Sequence, residues 1–487
     1  MVLLKAAARG SIRASIYESI REAILSGGLG AGARLPSSRD LAAEAGVSRN
    51  SVLTAYDQLM AEGYIIARKG SGTYVAPELP DDMSAPVRAG DRGGPAPPAQ
   101  PPLSAYGRRT AKAPGELPAS RPAGLRYDFR YGLPPADGFP YTLWRKKMGG
   151  RLRRMSQQDM QYAPPEGYGP LREAIAAYLS RHRGVESAPG QIIVVSGSQQ
   201  ALDLTARLLL DPGDGVLIEE PHYLGARYVF LAAGARLIPA PAGPDGLDLS
   251  AAPRAAARAK LAYVTPSHQF PTGGVMPLAR RLELLGWAGR TGAYVIEDDY
   301  DSEFRYGGRP VEAIQALDRS GRVIYMGTFS KTMFPALRIG YLVLPPALVE
   351  PFKRAKWLAD RHTPVLEQEA MADFIADGDY ERHLRRSRQR SASRRAALLE
   401  ALEAHLGVRT EVWGANAGLH LLVWLNGVPG RGLDPLIGRA AEAGVGIYSA
   451  FPYYLKPPPR AGLLLGFASM NEKEIPAGIR ILARVMG

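Results

Sequence analysis

Cysteine is absent from the 487-residue chain, which excludes disulfide bonds, thiolate catalysis and every metal site built on cysteine. No apolar run approaches the roughly 18 residues that a membrane-spanning helix needs. The first residues, MVLLK, lack the basic and then apolar order of a signal peptide. From these absences we predict a cytoplasmic protein with no membrane partner, and we expect no metal site.

The overall composition is that of a globular protein, with 46% hydrophobic and 22% charged residues. A chain of this length exceeds one ordinary domain, so two or three folding units are expected. The formal net charge of +13 favours an anionic partner. Charge alone does not distinguish a nucleic acid from a phosphorylated small molecule.

Three zones follow one another along the chain. Residues 1–76 contain short helical patterns and then a glycine-bearing hairpin pattern. Residues 77–126 hold eleven prolines in fifty positions, so we predict a linker that forms neither helix nor sheet and spans about 40 Å as a flexible coil. Residues 127–487 alternate strand and helix patterns.

The strand patterns of the third zone are short, rich in β-branched residues and mostly without polar alternation, which is typical of strands buried on both faces. Helical patterns over 200–210 and 278–290 lie between them, so we predict an α/β domain with a mainly parallel sheet. Ligands bind such sheets at the carboxyl ends of the strands. The predicted strands cover residues 192–195, 216–218, 261–264, 294–296, 323–326 and 339–344.

The first zone has the spacing of a helix-turn-helix. Apolar residues recur on one face of a predicted helix over 12–25. A second helix over 41–45 is followed by Gly46, which permits a tight turn, and by Ser48, which caps a third helix ending near Glu62. We expect the third helix to bury a stripe made of Val52, Tyr56, Leu59 and Met60.

The surfaces left exposed by this arrangement are suited to DNA. The start of the third helix would meet base edges, and Arg39, just before the second helix, would contact the phosphate backbone. A hairpin over 63–75 would bring its basic, glycine-rich tip to a minor groove. The alternative is a small helical bundle whose arginines are merely solvated. The predicted DNA contacts are Arg39, Ser48, Arg49, Asn50, Ser51, Lys69 and Gly70.

The order of these features, with the motifs LPSSR (residues 35–39) and GVSR (residues 46–49), resembles the winged-helix domain of the GntR family of bacterial regulators over about 65 residues. The resemblance implies binding to double-stranded operator DNA. Leu53 departs from members that place a further DNA-contacting arginine there.

Two groups that pyridoxal phosphate (PLP) requires of a protein stand in the third zone. Lys331, in the motif TFSKT (residues 328–332), and Asp298, in EDDY (residues 297–300), each follow an apolar strand pattern. A lysine can form a Schiff base with the PLP aldehyde, and a carboxylate can hold the pyridine nitrogen protonated. Either motif alone is common on protein surfaces and in turns, so the interpretation depends on their combination.

Further polar groups would serve the remaining parts of PLP. The strand-to-helix junction SGSQQ (residues 196–200) offers backbone amides and a hydroxyl for the phosphate, and Thr328 and Arg338 could bind the same group. Tyr300 could bond the phenolic oxygen, and Tyr223 could stack on the ring. The other predicted cofactor contacts are Gly197, Ser198, Gln199 and Ser330.

Together these motifs resemble the fold type I aminotransferases across about 360 residues. The segments YVTPSHQFPTG (residues 263–273) and DDYDSEFRY (residues 298–306) resemble the MocR subfamily of GntR regulators, in which a winged helix is fused to an aminotransferase-like domain. The resemblance implies a Schiff base at Lys331, a head-to-tail homodimer and a phosphate contact from Tyr162 of the partner subunit.

Two departures from catalytic aminotransferases bear on function. Phe270 stands where those enzymes carry the asparagine of Asn-Pro-Thr-Gly, and His268 is a candidate to replace it. Leu464 occupies the position of the arginine that grips a substrate α-carboxylate, with Arg460 nearby as a candidate substitute. We therefore expect PLP binding with poor turnover of α-amino acids, which leaves room for a residual transaminase half-reaction.

A cluster of arginines precedes the carboxy-terminal subdomain. It could form a second DNA surface, but its spacing covers most of a helix circumference, which favours a solvated helix. The cluster consists of Arg382, Arg385, Arg386, Arg388, Arg390, Arg394 and Arg395.

Three functions are compatible with this organisation. We favour a transcription regulator whose aminotransferase-like domain binds PLP and senses an amine, an amino acid or PLP itself. The rival is a working aminotransferase with an accessory DNA-binding domain, which a transamination assay would reveal. A third hypothesis is an interaction module with an empty pocket, which the visible absorbance of bound PLP would exclude.

Overall fold

A computed structural model describes residues 12–77, 102–115, 118, 124–307 and 312–487. The chain divides into two compact units, Met1–Pro101 and Pro102–Gly487. This division falls inside the zone predicted as a linker, and the predicted domain boundaries at 76/77 and 126/127 stay predictions. Among the described helices, none is both long and apolar enough to cross a membrane.

The first unit consists of α1 (Ile12–Leu25), α2 (Ser38–Ala45), α3 (Arg49–Ala61), β1 (Ile65–Arg68) and β2 (Gly72–Val75). Ser37 caps α2 because its side chain accepts a hydrogen bond from the backbone N–H of Asp40. Gly46 ends α2 in the left-handed conformation, with φ 67°, and Ser48 caps α3. The predicted helix-turn-helix and hairpin are therefore present.

The core of the first unit joins the three helices to the hairpin. Ile16 and Ile20 of α1, Val52 of α3 and Val75 of β2 are each at most 1% exposed. Met60, which we predicted in the buried stripe, is instead 36% exposed. The prediction was wrong because the buried face of α3 follows positions 52, 55, 56 and 59, and position 60 lies at its edge.

The second unit contains an α/β portion and a smaller carboxy-terminal portion. Its helices are α4 (Ala105–Thr110), α5 (Tyr141–Arg154), α6 (Gly169–Arg183), α7 (Ser198–Leu209), α8 (Leu224–Ala233), α9 (Leu278–Thr291), α10 (Ile314–Leu317), α11 (Pro346–Asp360), α12 (Val365–Ala376), α13 (Asp379–His405), α14 (Leu433–Glu442) and α15 (Glu474–Met486). Its strands are β3 (Tyr127–Asp128), β4 (Ile192–Val195), β5 (Gly215–Glu220), β6 (Arg236–Gly243), β7 (Gly246–Leu247), β8 (Ala259–Val264), β9 (Tyr294–Asp299), β10 (Val323–Thr328), β11 (Gly340–Val343), β12 (Thr410–Trp413), β13 (His420–Pro429), β14 (Val445–Gly446), β15 (Tyr448–Ser449) and β16 (Arg460–Gly466).

The central sheet has eight strands in the order β4-β11-β10-β9-β8-β5-β6-β7. Strands β10, β9, β8, β5 and β6 are parallel to one another, whereas β11 and β7 run antiparallel to their neighbours. The inner strands are buried along most of their length, as their unalternating apolar sequences require. The predicted mainly parallel sheet is confirmed, and the carboxyl ends of β8, β9 and β10 meet at one edge.

The carboxy-terminal portion is built on a four-stranded sheet of order β12-β13-β16-β15, in which every pairing is antiparallel. A short parallel pair joins β14 to β3 near the start of the unit. Leu421, Leu463 and Leu465 of this sheet pack on Leu398 of α13 and Ile479 of α15, and all five are fully buried. The portion thus has an apolar core of its own.

Helix α4 corrects the prediction that residues 77–126 form neither helix nor sheet. Ser104 caps this helix by accepting a hydrogen bond from the N–H of Gly107 at 3.0 Å. Arg109 Nε donates to the carbonyl oxygen of Ala232 in α8 at 2.8 Å, and Tyr106 lies under the Arg207 guanidinium of α7. The helix forms because no proline occurs between residues 102 and 114.

The arginines of α13 also differ from the predicted solvated helix. Arg394 is 3% exposed, donates to the carbonyl oxygen of Ala468 at 2.6 Å and pairs with Asp137. Arg388 donates to the carbonyl oxygen of Glu303 at 2.8 Å. These guanidinium groups bind loops of both portions, so part of the cluster stabilises the fold.

Candidate cofactor site and nucleic-acid interface

The predicted cofactor residues gather at the carboxyl ends of the central strands. Asp298 is the second-last residue of β9 and pairs in register with Met326 of β10. Strand β10 ends at Thr328, and the chain then leaves the sheet toward Lys331. Strands β9 and β10 are adjacent and parallel, which is why two motifs 33 residues apart in sequence come together.

Asp298 is a buried carboxylate with one satisfied oxygen. Its Oδ2 accepts a hydrogen bond from the hydroxyl of Tyr263 at 2.6 Å, whereas its Oδ1 is buried and has no partner in the part of the chain that the structure describes. Burial raises the pKa of Asp298 to about 7, and the Tyr263 hydrogen bond opposes that rise. A buried acceptor left open in this way can receive a protonated ring nitrogen.

Lys331 is partly exposed, and its Nζ donates to the carbonyl oxygen of Gly132 at 2.6 Å. Burial lowers the pKa of the Lys331 amine, while the charges of Asp301 and Asp298 oppose the lowering. A lowered pKa increases the fraction of neutral amine, which is the nucleophilic form that reacts with an aldehyde.

The loop before α7 and the guanidinium of Arg338 form a cradle. Gly197 has φ 84° and ψ 172°, a conformation that favours glycine, and a Cβ there would lie 2.6 Å from Arg338 Nη2. Arg338 itself has φ 53° and donates to the carbonyl oxygen of Ser196 at 2.6 Å. Ser198 opens α7, where free N–H groups and the helix dipole favour a phosphate.

Three other predicted residues lie around this cradle with partners of their own. Gln199 Nε2 donates to the carbonyl oxygen of Gly225 at 3.1 Å, beside the ring of Tyr223. Thr328 Oγ1 accepts from the backbone N–H of Ser330 at 3.1 Å, which fixes the turn before Lys331. Thr328 and Ser330 are nearly buried, and both hydroxyls lie at the end of β10.

His268 links the predicted phenolic-oxygen residue to a carboxylate. Its Nδ1 lies 2.9 Å from the hydroxyl of Tyr300 and 2.9 Å from Asp301 Oδ2. Phe270 is 9% exposed and stands edge-on to Tyr300 and to Tyr223. The ring that replaces the aminotransferase asparagine therefore fills the space between the two predicted tyrosine contacts.

The wall around Leu464 is apolar and aromatic. Leu464 is fully buried in a cluster with Tyr131, Phe270 and Leu422. Arg460, the candidate substitute for the missing arginine, donates to Glu411 Oε2 at 2.6 Å and stacks on Trp424. Its guanidinium is therefore engaged at another place on the small sheet.

Sequence reasoning missed several residues of this site. Tyr131 hydrogen bonds to Tyr453 and contacts the aromatic cluster, and Gly132 accepts from Lys331. The sequence marks Tyr263 only as part of a strand pattern and of a motif. Its signal was available in principle, because a tyrosine in a buried strand needs a partner for its hydroxyl.

Tyr162 is the one predicted cofactor residue that belongs to a different surface. It is 76% exposed, and its ring lies 4.6 Å below the Arg361 guanidinium and edge-on to His362. Its contact was predicted with the partner subunit, so its exposure in a single chain agrees with that prediction without testing it.

The predicted DNA contacts lie on the surface of the first unit. Arg39, Arg49, Asn50, Lys69 and Gly70 are exposed, and the last two sit in the turn between β1 and β2. Ser48 Oγ accepts from the N–H of Ser51 at 3.2 Å and so caps the helix that it begins. The cap satisfies one N–H of the first turn of α3, and Arg49 and Asn50 of that turn are exposed to solvent.

The cofactor site thus fits PLP by its chemistry. It holds a buried open carboxylate oxygen at Asp298, a lysine with lowered pKa and a glycine cradle that a Cβ would fill. When bound, PLP supplies an electrophilic aldehyde and a ring that withdraws electrons. Lys331 would hold the aldehyde carbon, and Asp298 would hold the ring nitrogen.

Comparison with known proteins agrees with both units. The family model of aminotransferase class I and II matches residues 137–436, and that of bacterial regulatory proteins, gntR family, matches residues 12–75. The chain is 42% identical to the probable rhizopine catabolism regulatory protein MocR of Rhizobium meliloti over 485 residues, covering 99% of this chain and 95% of that protein.

Two further similar proteins are a regulator and an enzyme. The pyridoxine biosynthesis regulator PdxR of Corynebacterium glutamicum is 30% identical, covering 95% of this chain and 93% of its own length. The crystal structure of LysN, the α-aminoadipate aminotransferase of Thermus thermophilus, complexed with a phosphopyridoxyl-leucine, has a TM-score of 0.68 and 31% identity. It covers 79% of this chain and 94% of LysN.

The fold and the site together define a PLP-binding protein of the fold type I aminotransferase class that carries a gntR-type helix-turn-helix. Because the regulators match over nearly the whole chain, the protein belongs to the MocR subfamily of GntR transcriptional regulators. The predicted family, fold and cofactor are confirmed.

Proposed function

We propose that this protein regulates transcription by binding operator DNA with its winged helix and by sensing a small molecule in its PLP-binding domain. The observation that carries the proposal is Leu464, fully buried among apolar and aromatic residues where a transaminase needs a cation for its substrate carboxylate. A site with a complete set of cofactor groups but without that cation can keep PLP and still fail to hold α-amino acids for turnover.

The DNA-binding part of the proposal assigns different tasks to the exposed residues of the first unit. Arg49, Asn50 and Ser51, in the first turn of α3, would contact base edges in the major groove. Arg39 and the hairpin tip, Lys69 and Gly70, would contact the backbone and the minor groove. Ser48 would act mainly by capping α3, since its hydroxyl already accepts from the helix.

For the effector we propose an amine, an amino acid or PLP itself. An amine can react with PLP held at Lys331 without any carboxylate grip, which is consistent with the apolar wall at Leu464. The names of the relatives MocR and PdxR refer to rhizopine catabolism and pyridoxine biosynthesis, which supports a small-molecule effector.

The site assignment is part of the proposal. We propose that Lys331 binds PLP covalently and Asp298 holds the ring nitrogen. Tyr300 and His268 would serve the phenolic oxygen, and Tyr223 would stack on the ring. Gly197, Ser198, Gln199, Thr328, Ser330 and Arg338 would surround the phosphate.

We also propose a cytoplasmic head-to-tail homodimer in which Tyr162 of the partner subunit completes the phosphate site. The exposure of Tyr162 beside an aromatic and cationic surface supports this assembly. Two winged helices per dimer would read half-sites spaced by one helical turn of DNA, about 34–36 Å, or a multiple of it. The part of the predicted linker that precedes α4 would let that spacing change with the effector.

A transamination assay separates this proposal from the rival enzyme. We expect the purified, PLP-loaded protein to give no sustained turnover with a panel of α-amino acids and 2-oxoglutarate, although a single half-reaction can occur. It should bind the DNA upstream of its own gene in preference to random DNA. Sustained turnover together with binding that ignores sequence would overturn the proposal in favour of a working aminotransferase.

A further inference from the structure

Tyr263 is a buried hydroxyl that reaches the cofactor site from a neighbouring strand. It lies on β8 opposite Ile296 of β9, and Asp298 is two residues further along β9 on the same face. A long side chain can reach such a diagonal neighbour in a sheet. The Tyr263 ring is 1% exposed and stands against Phe230, so its hydroxyl has a fixed position 2.6 Å from Asp298 Oδ2.

The contact gives the two carboxylate oxygens of Asp298 different surroundings. Oδ2 is occupied by the Tyr263 hydroxyl, and Oδ1 is buried with no partner among the described residues. Burial raises the pKa of Tyr263 well above its ordinary value, so the phenol stays neutral and keeps its proton to donate. A hydrogen bond donated to a carboxylate favours the ionised form.

We propose that Tyr263 is a positioning residue for PLP: its hydroxyl holds Oδ2 of Asp298 and favours the ionised carboxylate, which leaves Oδ1 as the acceptor for the protonated ring nitrogen. This inference rests on the proposed assignment of Asp298 to the ring nitrogen. Without the hydroxyl, the buried carboxylate would take up a proton more readily and would lose its fixed orientation.

Tyr325 provides a matched control within the same sheet. It is also 1% exposed, lies on β10, on the other side of β9 from Tyr263, and donates its hydroxyl to a buried carboxylate oxygen, Oδ2 of Asp299. Asp299 is held in addition by Arg183 Nε at 2.8 Å. Tyr325→Phe therefore removes a comparable buried hydrogen bond without touching Asp298.

The test uses the full chain and PLP labelled with ¹⁵N in the ring. For Tyr263→Phe we expect PLP to bind about 10- to 100-fold more weakly, as for loss of a hydrogen bond to a charged group, and the ring ¹⁵N signal to move toward neutral pyridine. Tyr325→Phe should keep the pyridinium signal and an affinity within about threefold of the parent protein. A pyridinium signal and unchanged affinity in Tyr263→Phe would overturn the inference.

An Asp298→Asn background distinguishes failure of the inference from failure of the site assignment. If Asp298→Asn leaves affinity and the ¹⁵N signal unchanged, the assignment of Asp298 itself is wrong. If Asp298→Asn changes both, adding Tyr263→Phe should weaken PLP by less than about twofold more, since the two residues act through one contact. A full independent loss in the double variant contradicts the inference even if Tyr263→Phe alone reduces stability.

Discussion

The winged-helix unit and the effector unit arrange their functional groups in different ways. In the first, Arg49 and Asn50 are neighbours in sequence and exposed at the start of α3, and the side chain of Arg49 donates to Ser38, only 11 residues away. In the second, Asp298 and Lys331 are positioned by two different strands, and their partners are as distant in sequence as Gly132. A DNA-reading surface can thus be built by local structure, whereas the cofactor site requires the completed sheet.

The largest expected effect is the loss of bound PLP from the effector unit. Lys331→Ala should abolish covalent PLP binding and its visible absorbance, because the motif supplies the amine that faces Gly132 in the site. Absorbance spectra of the purified variant measure this loss. Lys260→Ala, which removes an exposed amine paired with Asp214, is the control and should leave the spectrum intact. An unchanged spectrum in Lys331→Ala would mean that the pocket is assigned wrongly.

The contrast between local structure in the first unit and the completed sheet in the second also explains which features could be predicted from the sequence. Helix α1 and the turn at Gly46 were predicted because spacing, caps and glycine act within a few residues. Asp298 and Lys331 were found because each follows its own strand, and parallel strands end at one edge of the sheet. The Phe270 and Leu464 departures were visible only through the family resemblance.

The residues that sequence reasoning missed depend on tertiary contacts. Tyr263 reaches Asp298 only through the register between β8 and β9. The carbonyl of Gly132 meets Lys331 across 199 positions of sequence. The arginines of α13 carried a solvated pattern, yet Arg394 is buried because Asp137 and Ala468 fold against it. Each case is a pairing that no local pattern encodes.

The pH dependence of the free energy of unfolding tests the raised pKa of Asp298. The folded-state pKa of Asp298 is about 7, above its ordinary value of 3.8, so the protonated form stabilises the fold. Its contribution to the free energy of unfolding is present below about pH 4 and is lost as the pH rises toward 7. In the PLP-free protein, Asp298→Asn should therefore gain stability relative to the parent across this window, by at most about 1.4 kcal/mol per pH unit.

Urea unfolding at several pH values measures that difference. Glu297 also has a raised pKa, and comparing the variant with its parent cancels its contribution. A stability difference that stays constant from pH 4 to 7 would show that Asp298 keeps its ordinary pKa in the fold.

Two exposed cations of the winged helix, Arg49 and Lys69, are expected to make different contacts with DNA. Arg49→Ala should reduce the preference for operator over random DNA by about 1–3 kcal/mol if the arginine makes a bidentate base contact. Lys69→Ala should weaken both DNAs alike and reduce the salt dependence of binding. Fluorescence anisotropy at several salt concentrations separates the two. Equal, sequence-independent losses in both variants would show that the start of α3 does not read bases.

The smallest expected effect concerns Ser48, which we predicted as a DNA contact and which caps α3 in the structure. Ser48→Ala should destabilise the winged helix by about 1 kcal/mol, and Ser48→Gly by only a few tenths. Hydrogen exchange of the α3 amides in the full chain reports this local stability. If Ser48→Ala leaves exchange unchanged but weakens operator binding, the hydroxyl acts by touching DNA.

The proposed function requires that the protein couples its PLP-binding site to its DNA-reading surface. Any such coupling is reciprocal, so PLP must change operator affinity by the same factor by which operator changes PLP affinity. The direct measurement is calorimetric titration of PLP into the PLP-free protein, with and without the DNA upstream of its own gene. We expect the two affinities to differ by about 5- to 150-fold, which is the usual range of allosteric coupling. Identical PLP affinities, in a protein whose transcriptional output still responds to PLP, would contradict conformational coupling between the two units.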